Sequence, residues 1–426
     1  MKAVLIYLPH PWLREPEAQA PLGLLYLGSA LQTYKYQVEV KNYSAWSRKE
    51  AIKDLPRASF YGITVTSLEL LEANRFAKEI KKRYPDAIVG LGGPGVFTPE
   101  FIDWDVIDCI CKGDGEITIR TIMRDIEKKG LKKVYDGVVV KNLDEIEFPA
   151  RHLLKGSQGG NIFAYKHNYH EHGSTIVITS RGCGFRCTFC SAPNMTMGEG
   201  VRYRSAESVY QEIKHIKEHY NIKQIRFSDD IFTANKKRVL EICDKIGPLD
   251  VAWRISCRVK PLDEEMVKAM VNAGCKEVSL GVESFDSHVL NIFKKQTTPR
   301  DNVKALEACA KHGMKTRVLF MVRTPGQTKK TIRVNKEYLE KVPYDIICCT
   351  IFVPIPGSLV WERPDDYNIE ILSRNLDDYN FYFFGAKGEN ELKDVIKIKN
   401  RSLKAFNGET IEFRDYLKST GKLNMG

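Results

Sequence analysis

The sequence lacks an apolar run of the roughly 18 residues that a membrane span needs. Its first residues, Met1 to Leu8, are largely apolar, but Pro9 ends this run too early for a signal peptide, so we interpret it as the first strand of a domain. The sequence also lacks the signs of a disulfide framework, because its 11 cysteines are odd in number and spread through the chain. These absences predict a protein of a reducing compartment, the cytoplasm.

The length and charge of the chain limit its organisation and its partners. The 426 residues are enough for two domains with separate cores and a small tail. A formal net charge of +11 could indicate a nucleic-acid partner. However, lysines stand beside acids along predicted helices such as residues 212–218, so we interpret most of the excess as solvated helix faces, with steering of an anionic substrate as the alternative. Nucleic acid is therefore not an expected partner.

Three cysteines, Cys183, Cys187 and Cys190, follow the apolar run of residues 175–179, which predicts a short buried strand. Their C-x3-C-x2-C spacing puts three thiols into one loop, and thiolates bind iron–sulfur clusters or zinc. A structural zinc site is closed by a fourth nitrogen or sulfur ligand, and none follows Cys190 closely. Three ligands without a fourth indicate a four-iron cluster with one iron left open. The alternative is three inert, buried cysteines, which this spacing disfavours.

The N-terminal half alternates strand-like and helix-like segments up to about Ile126, which predicts a doubly wound, Rossmann-like α/β domain. Ligands of such sheets bind at the carboxyl ends of the strands. Polar or glycine-rich segments fall at those ends, at residues 66–68, 92–95 and 113–116. Together they would let a flat or phosphorylated ligand approach the backbone closely. His10 lies between two prolines after the first strand, which favours a turn residue over a ligand.

The C-terminal half predicts a partial (β/α)6 barrel of the TIM type. Six strand-like segments alternate with helical segments, at residues 176–179, 224–227, 251–256, 276–281, 316–322 and 346–352. Barrel chemistry concentrates at the C-terminal strand ends. Polar groups follow the second, third and fourth of these strands, namely Ser228 and Asp229, Arg258, and Glu283 and Ser284.

These segments divide the chain into four parts. We expect a first domain over residues 1–140, a linker over 141–174, the partial barrel over 175–360, and a small C-terminal extension over 361–426.

The cysteine loop, with Phe189 directly before its last cysteine, resembles the signature of the radical S-adenosylmethionine (SAM) superfamily. The Asp-Asp at residues 229–230 and the Gly-Val-Glu-Ser at 281–284 are similar to further elements of that superfamily. The N-terminal segments resemble the cobalamin-binding domain of its cobalamin-dependent branch, with Thr66 in place of a serine. The Asp-x-His-x-x-Gly motif of other cobalamin enzymes is absent, as is usual in this branch.

The resemblance implies three cofactors, and it assigns residues to each. A four-iron, four-sulfur cluster would be held by the three cysteines. SAM would be bound by Phe189, Ser228, Asp229, Arg258, Glu283 and Ser284. Cobalamin would be bound by Thr66, Ser67, Leu68, Gly92, Gly93, Gly113 and Glu116. The resemblance assigns no catalytic acid or base.

The implied activity is transfer of a methyl group from methylcobalamin to an unactivated sp3 carbon, after a 5′-deoxyadenosyl radical has removed a hydrogen atom. An electron donor such as flavodoxin or ferredoxin is implied as a partner. The substrate stays open: a small molecule, a lipid or a protein side chain would fit. One alternative is a cyclase or rearrangement enzyme that uses cobalamin without methyl transfer. Another is an RNA methylthiotransferase, a family with three additional N-terminal cysteines, where this chain has Cys109 and Cys111.

Overall fold

The computed structural model describes residues 1–17, 20–154, 174–192, 197, 199–220, 222–382, 394–398, 401–402 and 407–424. The chain divides into two compact units. The first comprises Met1–Lys166 and Asn194–Glu199, and the second comprises His167–Pro193 and Gly200–Gly426. Residues 155–173 of the expected linker lie outside the described residues.

The first unit is built on a parallel sheet with the strand order β2-β1-β3-β4-β5-β6. Its strands are β1 (Lys2–Tyr7), β2 (Gln37–Asn42), β3 (Phe60–Thr64), β4 (Ile88–Gly92), β5 (Cys109–Lys112) and β6 (Val134–Asp136). Its helices are α1 (Leu22–Thr33), α2 (Arg48–Asp54), α3 (Leu70–Arg83) and α4 (Gly115–Glu127). The side chains of Ala3 to Ile6 in β1 are fully buried, as expected of a strand covered by helices on both faces of the sheet.

This strand order defines where a ligand of the first unit would bind. The chain moves from β1 outward to β2, and then returns to the other side of β1 to form β3. The loops after β1 and β3 therefore diverge at the carboxyl edge, which is the topological switch point where doubly wound sheets bind ligands.

The second unit contains a seven-stranded parallel sheet in the order β18-β14-β13-β12-β11-β10-β7. Its strands are β7 (Ser174–Val177), β10 (Gln224–Phe227), β11 (Ala252–Arg258), β12 (Cys275–Glu283), β13 (Lys315–Val322), β14 (Ile346–Ile351) and β18 (Leu423–Asn424). Six of these strands are those expected from the sequence. The seventh, β18, comes from the C-terminal extension and pairs with β14, so the tail completes one edge of the sheet.

Helices alternate with the strands of this second sheet, so the predicted α/β fold class is confirmed. They are α5 (Ala206–Tyr220), α6 (Lys236–Ile246), α7 (Glu264–Asn272), α8 (Ser287–Ile292), α9 (Pro299–Lys311), α10 (Lys329–Leu339), α11 (Leu359–Glu362) and α12 (Asn407–Ser419). Two small antiparallel sheets accompany them, formed by β8 (Ser180–Arg181) with β9 (Arg202–Tyr203), and by β15 (Ile369–Ile371), β16 (Ile396–Ile398) and β17 (Arg401–Ser402). Within the described ranges, no helix combines the length and the apolar character needed to cross a membrane.

Candidate functional site

The loop with the three cysteines begins just after β7, at the carboxyl edge of the second sheet. Gly182 turns the chain with φ of +92° directly before Cys183, a conformation that favours glycine. Cys187 is buried, and Cys183 and Cys190 are partly exposed. The backbone N–H of Cys190 donates to the carbonyl of Cys187 over 3.1 Å, which closes the second half of the loop.

The electrostatics of this loop fit a cluster of several metal ions. Burial raises the pKa of Cys183, and it raises the pKa of Cys190 to about 11, with the neighbouring thiols adding to the effect in both cases. The thiols of Cys183 and Cys190 are therefore neutral at pH 7 unless a metal deprotonates them. In the described part of the chain, no three His, Cys, Asp or Glu side chains converge closely enough to hold a single metal ion. In a four-iron cluster each thiolate binds its own iron atom, so three spaced thiols fit such a cluster better than they fit one zinc ion.

Arg258, the last residue of β11, contacts the cysteine loop directly. Its Nη1 lies 2.8 Å from Sγ of Cys187, and its guanidinium group lies over the ring of Phe185 at 3.8 Å from the ring centre. Its Nη2 donates to the backbone carbonyl of Lys295. A cation that donates to a cluster sulfur stabilises negative charge there, which is one of the ways a protein adjusts the reduction potential of a cluster.

Asp229 and Asp230, which follow β10, hold the entrance to the cysteine loop. The carboxylate of Asp229 accepts from the backbone N–H of Thr179 and from the hydroxyl of Ser180, each over 2.6 Å. The carboxylate of Asp230 accepts from the backbone N–H of Gly182 over 3.0 Å, and burial raises its pKa. The geometry therefore gives Asp229 a positioning contact with the loop. Ser228 is partly exposed beside it, at the carboxyl end of β10.

Glu283 ends β12 and forms a buried ion pair that the sequence did not indicate. Its Oε1 lies 2.7 Å from Nζ of Lys295, and the two side chains are 11% and 4% exposed. Glu283 has φ of +62°, a conformation that L-residues seldom adopt outside ligand sites and turns. A Cβ atom at Gly281 would lie 2.8 Å from Oε1 of Glu283 and 2.9 Å from Nζ of Lys295, so a larger residue there would displace the charged ends of the pair.

Ser284 and Phe189 make mainly internal contacts. The hydroxyl of Ser284 accepts from the backbone N–H of Asp286 over 3.0 Å and lies 3.3 Å from Oδ1 of Asn335. It is 1% exposed, so in this geometry its hydroxyl serves the local fold. Phe189 packs edge-to-face on Phe293, with 4.9 Å between ring centres. No pattern in the sequence singled out Lys295, which contributes both its carbonyl to Arg258 and its ammonium group to Glu283.

In the first unit, the segments predicted to bind cobalamin lie at the carboxyl ends of three neighbouring strands. Residues 66–68 follow β3. Gly92 is the last residue of β4, and Gly93 comes directly after it. Gly113 follows β5, and Glu116 lies in the first turn of α4. A Cβ atom at Gly92 would meet no other atom within 4 Å, so the backbone there is open to a ligand. Gly93 has φ of +91° and packs closely on Val65. This arrangement fits a large planar ligand at the switch point.

His10 is not a simple turn residue, because its ring is 3% exposed and pairs with Glu69 from the loop after β3. The second carboxylate oxygen of Glu69 accepts from the backbone N–H of Thr66. Burial works against the charged form of Glu69, but the hydrogen bond and the charge of His10 outweigh it and lower the pKa of Glu69. Burial, and then the charge of Glu69, raise the pKa of the neighbouring Tyr7. This buried pair joins the two loops that diverge at the switch point.

Comparison with known proteins agrees with this fold. Residues 177–339 match the radical SAM superfamily. A protein of Pyrococcus horikoshii described as an uncharacterized methyltransferase is 31% identical over 385 residues, which cover 84% of this chain and 81% of the relative. A hopanoid C-3 methylase of Methylococcus capsulatus is 24% identical, over 80% of this chain and 68% of the relative.

A solved structure has the same overall fold as this chain. It is the radical SAM methyltransferase TsrM of Kitasatospora setae with cobalamin and a four-iron, four-sulfur cluster bound, with a TM-score of 0.68 and 17% identity. The match covers 88% of this chain and 81% of that chain. This chain belongs to the radical SAM superfamily and is related to the methyltransferase of Pyrococcus horikoshii over most of its length. The prediction of a radical SAM enzyme is therefore confirmed, and this superfamily implies SAM and an iron–sulfur cluster.

Proposed function

We propose that this enzyme transfers a methyl group to an unactivated sp3 carbon of its substrate. The observation that carries the proposal is the cysteine loop at the carboxyl edge of the second sheet, held there by Asp229 and Arg258. When bound, the cluster and SAM supply a radical that removes hydrogen, and cobalamin supplies the methyl group. The relatives described as methyltransferases support methyl transfer over ring closure.

Different residues around the cysteine loop bind the cluster and SAM. Cys183, Cys187 and Cys190 hold the cluster, and Arg258 stabilises its negative charge through the sulfur of Cys187. Glu283 and Lys295 present one carboxylate and one ammonium group side by side. The ammonium and carboxylate groups of the methionine part of SAM carry the opposite charges. SAM can therefore pair with Glu283 and Lys295 in place of their ion pair with each other.

We assign cobalamin binding to the loops at the carboxyl edge of the first sheet. Residues 66–68, Gly92, Gly93, Gly113 and Glu116 border this edge, and the open backbone at Gly92 supports close approach by a planar ligand. The buried pair of His10 and Glu69 holds the loops after β1 and β3 together beside the place for such a ligand.

An RNA methylthiotransferase is the less favoured activity, because Cys109 and Cys111 are poor candidates for a second cluster. Both lie within β5 and are buried. Thiols in a strand interior are better explained as packing groups than as metal ligands.

The cellular setting is part of the same proposal. An enzyme with an oxygen-sensitive cluster works in a reducing compartment, so we assign it to the cytoplasm, with flavodoxin or ferredoxin as electron donor. Its substrate is a small molecule, a lipid or a protein side chain.

The proposal can be tested without knowing the substrate. Protein reconstituted anaerobically with iron, sulfide and hydroxocobalamin is incubated with reductant and SAM that carries a trideuterated methyl group. We expect 5′-deoxyadenosine and deuterated methylcobalamin, both measured by mass spectrometry. Cys187→Ala should abolish 5′-deoxyadenosine formation, whereas Cys349→Ala, outside the loop, should not. Wild-type protein that binds cobalamin but never acquires the deuterated methyl group would refute methyl transfer.

A further inference from the structure

The strands of the second sheet have two chemically different faces. On β13, the side chains of Val318, Phe320 and Val322 are at most 1% exposed. The alternate residues Arg317, Leu319 and Met321 are partly exposed. Phe320 contacts Phe285 and Phe413, which places the apolar face against the surrounding helices and loops. The other face is the one that carries Arg258 of the candidate site, because Arg258 pairs in register with Gly281 and Gly281 pairs with Leu319.

This inner face is not filled with branched apolar side chains, as the interior of a packed TIM barrel is. Arg317 pairs in register with Ser279, which in turn pairs with Ser256. Ser256 is partly exposed, as is Thr350 on the neighbouring β14. Polar, partly exposed residues in the middle of a sheet indicate a binding cavity.

Arg317 carries a positive charge that its surroundings balance incompletely. Glu277 is its one ion-pair partner among the described residues, and Nε of Arg317 lies 3.5 Å from Oε1 of Glu277. The same Oε1 atom already accepts from Nη1 of Arg254 over 2.9 Å. Two guanidinium groups thus share one carboxylate, and Nε of Arg317 makes no hydrogen bond within the described part of the chain.

Cys348, which lies beside these three side chains, does not balance the charge of Arg317. Cys348 interacts electrostatically with Arg254, Glu277 and Arg317, but burial raises the pKa of its thiol to about 11, so it stays neutral at pH 7. The side chain of Arg317 is 13% exposed, whereas those of Arg254 and Glu277 are 8% and 6% exposed. Arg317 is therefore the member of the cluster that a ligand can reach.

The position of Arg317 relates it to the cysteine loop. Arg317 on β13 is level with Ser256 on β11, two strands away in the sheet. Ser256 precedes Arg258 by two residues on β11. At about 3.3 Å per residue, Arg317 lies roughly 7 Å deeper than Arg258, which contacts Cys187. On the inner face, Leu319 lies level with Arg258, and Met321 lies two residues further toward the carboxyl edge. The inner face thus has an apolar zone near the cluster and a cation below it.

We propose that Arg317 binds an anionic group of the substrate, a carboxylate or a phosphate, while the apolar carbon skeleton lies against Leu319 and Met321. A guanidinium group matches either anion because its N–H groups form paired hydrogen bonds with two oxygens. The anchored anion would hold the skeleton so that its unactivated carbon faces the cluster. This inference rests on the proposed function, since it takes the inner face of the second sheet as the substrate site.

Hexyl phosphate and hexanoate are suitable probes, because each joins a short apolar chain to one of the two anions. Their binding to the anaerobic, reconstituted enzyme with SAM is measured by titration calorimetry, with hexanol as the neutral reference. For wild-type enzyme we expect at least one of the anionic probes to bind at least tenfold more tightly than hexanol. Arg317→Gln should remove this advantage, and Arg317→Lys should keep part of it. The preferred probe distinguishes a phosphate from a carboxylate.

Arg333→Gln is the matched control, since Arg333 on α10 is 71% exposed and lies 3.9 Å from Glu337. It should bind the probes as wild-type enzyme does. Equal affinity of the Arg317→Gln and Arg333→Gln enzymes for both anions would overturn the inference. Formation of 5′-deoxyadenosine from SAM alone is measured in parallel and should be unchanged in the Arg333→Gln enzyme. Its absence from wild-type enzyme would contradict the proposed function, whereas normal cleavage with equal anion affinity contradicts only the role of Arg317.

A second measurement needs no variant and so does not depend on folding. Phenylglyoxal modifies accessible arginines, and peptide mass spectrometry gives the rate at each site. Saturating amounts of the tighter anionic probe should slow modification of Arg317 at least fivefold and leave Arg333 unaffected. Equal rates at Arg317 with and without the probe would also overturn the inference.

Discussion

The buried ion pair between Lys295 and Glu283 leads to a prediction whose size can be worked out. Its charged atoms lie 2.7 Å apart, and the side chains are 4% and 11% exposed, so solvent screens the interaction little. Lys295→Met would leave the carboxylate of Glu283 buried without its partner. Breaking a buried pair in this way costs about 3–5 kcal/mol in the free energy of unfolding, whereas replacing both members is far less costly.

The control is an exposed pair with nearly the same geometry. Nζ of Lys245 lies 2.6 Å from the carboxylate of Glu207, but these side chains are 43% and 53% exposed. Exposed pairs of this kind contribute about 0–1 kcal/mol. Lys245→Met should therefore leave the free energy of unfolding nearly unchanged, because solvent screens this exposed pair.

Anaerobic urea unfolding, followed by circular dichroism, measures these differences. Lys295→Met should lower the midpoint strongly, Lys245→Met should leave it nearly unchanged, and Lys295→Met with Glu283→Gln should recover most of the loss. If the Lys295→Met enzyme unfolds at the same urea concentration as the Lys245→Met enzyme, the pair does not stabilise the fold as we argue. The SAM affinity of each variant, measured by calorimetry, then reports separately on the role of the two charges in binding.

Three further predictions concern other parts of the two sites. Arg258→Met removes a cation from the sulfur of a cluster cysteine, so the reduction potential of the cluster should become more negative in an EPR redox titration; an unchanged potential would contradict the contact. Glu69 has a lowered pKa in the folded state, so its stabilising effect is present above the unfolded pKa of about 4.3 and is lost as the pH falls through the folded pKa. Glu69→Gln should therefore flatten the fall in melting temperature below pH 5, and a fall as steep as that of the wild type would count against this assignment. Gly281→Ala would place a methyl group 2.8 Å from the carboxylate of the ion pair discussed above, and should weaken SAM binding at least tenfold by calorimetry. Gly130→Ala, where a methyl group meets open space, should bind SAM normally, and equal affinity of the two variants would argue against close packing at Gly281.

Several side chains at the candidate site serve the cysteine loop rather than a free ligand. Asp229 is an example, because its carboxylate is already occupied by the backbone of Thr179 and the hydroxyl of Ser180. Its position after a strand correctly placed it near the site, but position alone does not tell a ligand from a support. That distinction depends on which donors the fold brings to the carboxylate.

The first unit illustrates the same difference at its switch point. The alternation of strands and helices predicted the doubly wound sheet, and the glycine-rich segments fell at the strand ends as expected. The sequence nevertheless favoured a turn for His10, since a histidine between two prolines carries no periodic signal. Its pairing with Glu69, 59 residues away, depends on the strand order that brings the loops after β1 and β3 together.

The cysteine loop, the two α/β sheets and the family could be predicted from the amino-acid sequence alone. They follow from local features: thiol spacing within a few residues, and apolar periodicity within single strands and helices. The contacts between distant side chains, in contrast, depend on the folded chain. Arg258 reaches Cys187 across 71 residues of chain, Lys295 neutralises Glu283, and Arg317 shares Glu277 with Arg254. These contacts arise from the register of parallel strands, because each crossover joins residues that are distant in sequence, and no local pattern encodes the partner.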